Sequence, residues 1–87
     1  MPEWIGEGQK GRRRYIYGDT GWWIEHCGHP TALWPYAAYS PDGIMLLEPS
    51  GRDFQTVKRA KAAVEDAYQH PGHLVRLPRG QWTLRKS

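Results

Sequence analysis

Only one stretch of this chain carries a helical period. From Thr56 to Tyr68, the residues Val57, Ala60, Val64, Ala67 and Tyr68 recur at the three- and four-residue spacing of one helix face. Everything else is cut into short aromatic and β-branched runs by clusters of Gly, Pro, Asp and Ser. Such runs fold as strands, because a β-branched or aromatic side chain suits a pleated, half-buried surface. Tyr15-Ile16-Tyr17, Trp22 to Cys27, Leu33 to Tyr39 and Ile44 to Glu48 precede the helix. Leu74 to Leu77 and Gln81 to Leu84 follow it as a hairpin. The order ββββ-α-ββ predicts an α+β fold: an antiparallel sheet of about four to six strands with one helix packed on one face. Residues 1–11 hold Gly6, Gly8 and Gly11 without a clear period and read as a flexible N-terminal arm that docks through Trp4 or Ile5. Residues 12–87 read as a single domain.

Local chemistry sharpens three of these boundaries. Ser40-Pro41-Asp42-Gly43 places Ser, Pro and Gly at the first, second and fourth positions of a type I turn, often followed by a bulge at the glycine. Thr56 is an N-cap residue, but Arg59 stands where a reciprocal capping box needs Glu or Gln. Pro71-Gly72 stops the helix. Strand alternation sets Trp22, Ile24 and His26 on one face and Trp23, Glu25 and Cys27 on the other, and the first set is the better core. Pro35 cannot donate to a ladder, which places it at a strand edge or start.

At 87 residues, the chain buries only about 60% of the surface its unfolded form exposes, and its single Cys27 excludes an intrachain disulfide. Five Trp, five Tyr and one Phe must therefore supply much of the core. They are too many to be buried together, so some face a partner. Trp23, Trp34, Tyr36 and Trp82 are the candidates, since simple alternation leaves them off the core face; their other reading is a second buried layer. Interface cores are enriched in Trp, Tyr and Arg, the residue types in surplus here. Homodimerisation through such a face is a further reading.

The net charge is +3 and the pI near 9.2. This disfavours mimicry of DNA by acidic side chains and is compatible with nucleic acid or an acidic protein surface. The basic residues form three separate groups: Lys10 to Arg14, including Arg12, Arg13 and Arg14; Arg52 with Lys58, Arg59 and Lys61; and Arg76, Arg79, Arg85 and Lys86. Interleaved aromatics could stack on bases, making a small basic nucleic-acid-binding protein the alternative function. A second alternative is a small metal-binding domain using His26, Cys27, His29, His70 and His73. Against it, adjacent His26 and Cys27 point to opposite faces of a strand, and the spacing matches no paired Cys-x-x-Cys pattern. Catalysis by Cys27 would need a base and an orienting group that sequence proximity does not supply. No enzyme activity and no cofactor are expected. The N-terminus lacks a signal peptide's apolar region and no run approaches a membrane span, so a cytoplasmic protein is expected.

The segment Gly21-Trp22-Trp23-Ile24-Glu25-His26-Cys27-Gly28-His29-Pro30-Thr31-Ala32, with Pro35-Tyr36 after it, resembles a group of small phage and prophage proteins. So does Gly51-Arg52-Asp53-Phe54-Gln55-Thr56, leading into a helix with Ala60, Lys61, Ala62, Ala63 and Val64. The resemblance covers roughly residues 15 to 68. Small phage proteins of this style include anti-CRISPR proteins, and the chain looks like one of them. The resemblance implies a non-enzymatic inhibitor of a host protein complex, a type I CRISPR effector subunit among the implied partners, acting in the host cytoplasm. With its positive charge, such an inhibitor would block target-DNA binding sterically rather than as an acidic decoy.

Overall fold

The strands are short, and the turns described between them carry the Gly, Pro, Asp and Ser visible in the sequence. The computed structural model describes residues 2–8, 13–29 and 31–85. In chain order the strands are β1 (Trp4–Glu7), β2 (Arg14–Tyr17), β3 (Trp23–His26), β4 (Tyr36–Tyr39) and β5 (Met45–Leu47). Helix α1 (Val57–Gln69) and a 3₁₀ turn at Pro71–His73 follow, then β6 (Leu74–Arg76) and β7 (Trp82–Leu84). All seven strands form one sheet in the order β1-β2-β3-β4-β5-β7-β6. Every neighbouring pair is antiparallel except β5 and β7, which run parallel because α1 and β6 lie between them in the chain. The α+β class is as expected, but the order is βββββ-α-ββ rather than ββββ-α-ββ, and the sheet has seven strands where four to six were expected.

The extra strand is β1, in the segment expected to be a flexible arm. What fixes it is a tertiary contact rather than local propensity. The Trp4 ring stacks on Tyr17 with centroids 4.5 Å apart, and its indole N–H donates to Glu65 of α1 at 2.9 Å. The Gly18 amide donates to the Glu3 carbonyl at 2.8 Å, closing the strand end. A second correction concerns the third expected strand, which begins at Tyr36 rather than Leu33. Leu33 is 70% exposed, and the Pro35 carbonyl takes the Cys27 amide at 2.8 Å before the regular ladder starts.

The helix is placed as its period requires. The Thr56 hydroxyl accepts the Arg59 amide at 3.1 Å, so the N-cap forms without the reciprocal half of a capping box. Ala60, Val64 and Ala67 are buried against Tyr17, Trp22, Ile24, Ala38, Leu46 and Phe54. Tyr68 remains 43% exposed and meets Tyr17 of the core edge-on, centroids 5.6 Å apart. Three small or short residues on the buried face let α1 approach the sheet closely, leaving the bulk of the core to the sheet's aromatics. Among the described residues no helix is long and apolar enough to cross a membrane.

Two turns hold the central hairpins in register. At the β4–β5 turn, the Ser40 carbonyl accepts the Gly43 amide at 2.9 Å, and Gly43 has φ +78°. The Ser40 amide and hydroxyl both bond Ile44, so this buried serine is satisfied. At the β2–β3 turn, Gly21 has φ +91°, and a Cβ there would lie 2.8 Å from Pro41 Cβ in the neighbouring turn. Gly21→Ala is therefore expected to cost about 2 kcal/mol from the backbone conformation alone, with the Pro41 clash added. Chemical denaturation checks this; a midpoint unchanged from the parent would contradict it.

Candidate functional site

The register of the sheet decides what its second face presents. Ile24 and Ala38 pair across β3 and β4 and face α1, so their neighbours in each strand face away from it. Following the pairing from β1 to β5, Ile5 lies opposite Ile16, Ile16 opposite Trp23, Trp23 opposite Tyr39, and Tyr39 opposite Met45. These five residues form one continuous apolar row across five strands, on the face that carries no helix. Ile5 is 53% exposed and the other four are half-buried.

The centre of the row is pre-assembled. The Trp23 and Tyr39 rings are stacked, centroids 4.3 Å apart and planes 17° from parallel. The Arg14 guanidinium, from the adjacent strand, lies 4.8 Å from the Trp23 ring centre. Such aromatic pairs contribute about 0.5–1.5 kcal/mol and an exposed cation–π contact about 0.5–1 kcal/mol, enough to hold the rings in place. Arg14, Ile16, Trp22 and Trp23 also line a shallow cavity of about 320 Å³ with the β2–β3 turn.

Beyond Met45 the face runs into a groove of about 580 Å³. Its walls include Trp34, from the β3–β4 connection, and Met45, Leu47, Arg52, Asp53 and Gln81. The Arg52 guanidinium lies over Trp34, 4.3 Å from its ring centre. Burial holds the Asp53 carboxyl above its ordinary value. Burial also raises the Tyr39 hydroxyl, with the carboxylates of Glu25 and Asp53 adding to the effect. Both acids are thus electrostatic neighbours of the row's central phenol.

The sequence-derived candidates divide between the two sides of the sheet. Trp23 and Arg14 meet on the helix-free face, and Trp34 borders its groove. Tyr36 turns to the core side, where it meets the His26 ring edge-on at 5.0 Å and brackets Phe54 with two backbone hydrogen bonds. Trp82 also packs against the core, under the Arg76 guanidinium at 4.8 Å. Lys58 and Arg59 are exposed on α1, on the opposite side of the sheet from Trp23, with Arg59 3.5 Å from Glu48. Arg13 is exposed just before β2, and Arg12 lies outside the described residues.

The histidines and Cys27 are engaged in turns. The Gly28 amide donates to His26 Nδ1 at 2.9 Å, the His29 amide to Cys27 Sγ at 3.4 Å, and Thr31 Oγ1 lies 3.0 Å from His29 Nδ1. His70 and His73 stack at 4.8 Å, and His73 Nδ1 lies 3.0 Å from Asp66. Among the described residues no group of three or more His, Cys, Asp or Glu side chains is placed to hold a metal ion.

Sequence reasoning missed Ile5, Ile16, Tyr39 and Met45 as members of the surface. Ile16 was legible, because it alternates with Tyr15 and Tyr17 in one strand. The other three depend on which strands pair and in what register, which no local pattern states. Comparison of the chain with protein-family models, with curated proteins and with solved structures finds no match in any of the three.

Proposed function

We propose that this chain is a small non-enzymatic inhibitor that docks on a host protein complex with the helix-free face of its sheet. The target class follows from the phage-protein resemblance: a type I CRISPR effector in the host cytoplasm, whose access to target DNA the bound inhibitor blocks sterically. The observation that carries the docking half of this reading is the row Ile5, Ile16, Trp23, Tyr39 and Met45, with Arg14 seated on Trp23. Large rings already stacked on a rigid sheet lose little conformational freedom on binding, so more of the contact energy remains as affinity. Arginine and aromatic side chains are also the types that dominate protein interfaces.

The charge on this face favours a protein over a nucleic acid. Among the described residues, Arg14 and Arg52 are accompanied by Glu7, Glu25 and Asp53, so their charge is mixed rather than a basic stripe. Phosphates would meet carboxylates beside the very rings on which bases would stack. The basic residues Lys58 and Arg59 are on the other side of the sheet, where they cannot add to a backbone track along this row.

The test is reconstitution with purified type I effector complexes. The expected result is a stable complex that survives moderate salt, and loss of target-DNA binding by the effector. Three outcomes would overturn the proposal: no association with any effector, binding to nucleic acid alone with a steep fall as salt rises, or a homodimer sealed through the row.

A further inference from the structure

We propose that the groove beside Trp34 receives one basic side chain of the partner protein, an arginine guanidinium, with the Trp34 ring as its platform and Asp53 as its acceptor. The inference rests on the docking reading in that a partner supplies the side chain. Its test needs no partner.

Three features of the groove select this occupant. The first is Asp53. Its carboxylate lines the groove, yet its Oδ1 is shut from solvent and accepts no hydrogen bond from the described residues. Nor does Asp53 form an ion pair among them. Shut from water at Oδ1 and without an ion pair, the half-buried carboxylate is held ionised at a cost, and a positive charge arriving at its open side offsets that cost without reaching Oδ1. The raised carboxyl of Asp53 agrees with this, since the neighbouring Arg52 does not offset the burial.

The second feature is Trp34. Its ring already holds a guanidinium, that of Arg52 at 4.3 Å, so the platform's preference for a flat cation is displayed within the molecule. Arg52 is exposed but forms part of the groove's wall, where it is an internal competitor for the Trp34 ring. The third is the composition of the remaining walls. Met45 and Leu47 supply an apolar floor on which the methylene stem of a long cationic side chain can lie, while Gln81 adds a polar group at the rim. An acidic occupant would face Asp53 directly and leave its carboxylate still unpaired.

The probe is a tripeptide with arginine between two glycines, blocked at both ends. Its binding is read from the indole N–H resonance of Trp34 in the folded chain. A saturable shift with a Kd in the millimolar range, around 1 mM, is expected for one side chain. The same peptide with citrulline, which keeps the shape and loses the charge, is expected to bind at least about tenfold more weakly. Asp53→Asn should weaken the arginine peptide by a similar factor. Arg52→Gln should strengthen it several-fold by removing the competitor, an increase that mere loosening of the groove would not produce. Absence of a saturable shift, equal binding of the citrulline peptide, or indifference to Asp53→Asn would each overturn the inference. If Asp53→Asn fails to fold, the citrulline comparison in the parent chain decides. A missing effector complex would instead count against the docking reading alone.

Discussion

Trp23→Ala is expected to remove most of the affinity for the partner while leaving a folded chain. Trp23 occupies the middle of the five-residue row, with Ile16 and Tyr39 opposite it on either side and the Arg14 guanidinium on its ring. Residues in this position, central, aromatic and held by neighbours, carry about 2 kcal/mol or more of a protein interface, or roughly thirtyfold in Kd. The cost to the fold is smaller. Truncation removes a ring stack and an exposed cation–π contact, together about 1–2.5 kcal/mol. A domain of 87 residues has a total stability on the order of 4–13 kcal/mol at ordinary values per residue, so the folded state persists. Circular dichroism should show parent-like secondary structure, and the binding isotherm should shift by more than an order of magnitude. Parent-like affinity would remove Trp23 from the interface.

Ile24→Ala, one residue further along the same strand, is expected to do the reverse. Ile24 is fully buried and packs in the cluster that joins the sheet to Ala60, Val64 and Ala67 of α1. Deleting its outer carbons leaves a cavity that α1 cannot collapse into, because the helix is held at Trp4–Glu65 as well as by its own packing. The expected loss is about 2–5 kcal/mol, a large share of the whole. For a chain of this size that lowers Tm by roughly 10–40 °C. Thermal unfolding followed at the tryptophans checks it, and a Tm within a few degrees of the parent would contradict the assignment of faces. At temperatures where the variant stays folded, its affinity for the partner should remain near that of the parent, since Ile24 does not reach the helix-free face.

The contrast between these adjacent residues was legible in the sequence, because alternation within a strand needs only the strand. The helix and its cap were legible for the same kind of reason: the spacing of Val57, Ala60 and Val64 and the hydroxyl of Thr56 act within a few residues. The turn at Ser40 to Gly43 likewise carries its geometry in its own side chains. What escaped depends on contacts distant in the chain. β1 has glycine within and just after it and no alternating pattern; Tyr17 and Glu65, the latter 61 residues away, are what make Trp4 part of the sheet. The parallel pairing of β5 with β7 is likewise set by where α1 returns the chain. Tyr36 and Trp82 were grouped with Trp23 because all three were aromatics without an assigned place. Register separates them, since Tyr36 pairs with His26 and Trp82 with Leu46, both on the core side. The surface itself could be read only once five strands were in order.

The central claim is that the helix-free face, and not the helix side, meets the partner. Hydrogen exchange of the chain bound to the proposed effector partner against the free chain tests it most directly, read at the side-chain indole N–H groups of the tryptophans by NMR. The claim predicts that Trp23 gains protection in the complex while Trp4, which faces α1, is unchanged. Protection confined to Trp4 and the amides of α1, with Trp23 exchanging as in the free chain, would contradict it.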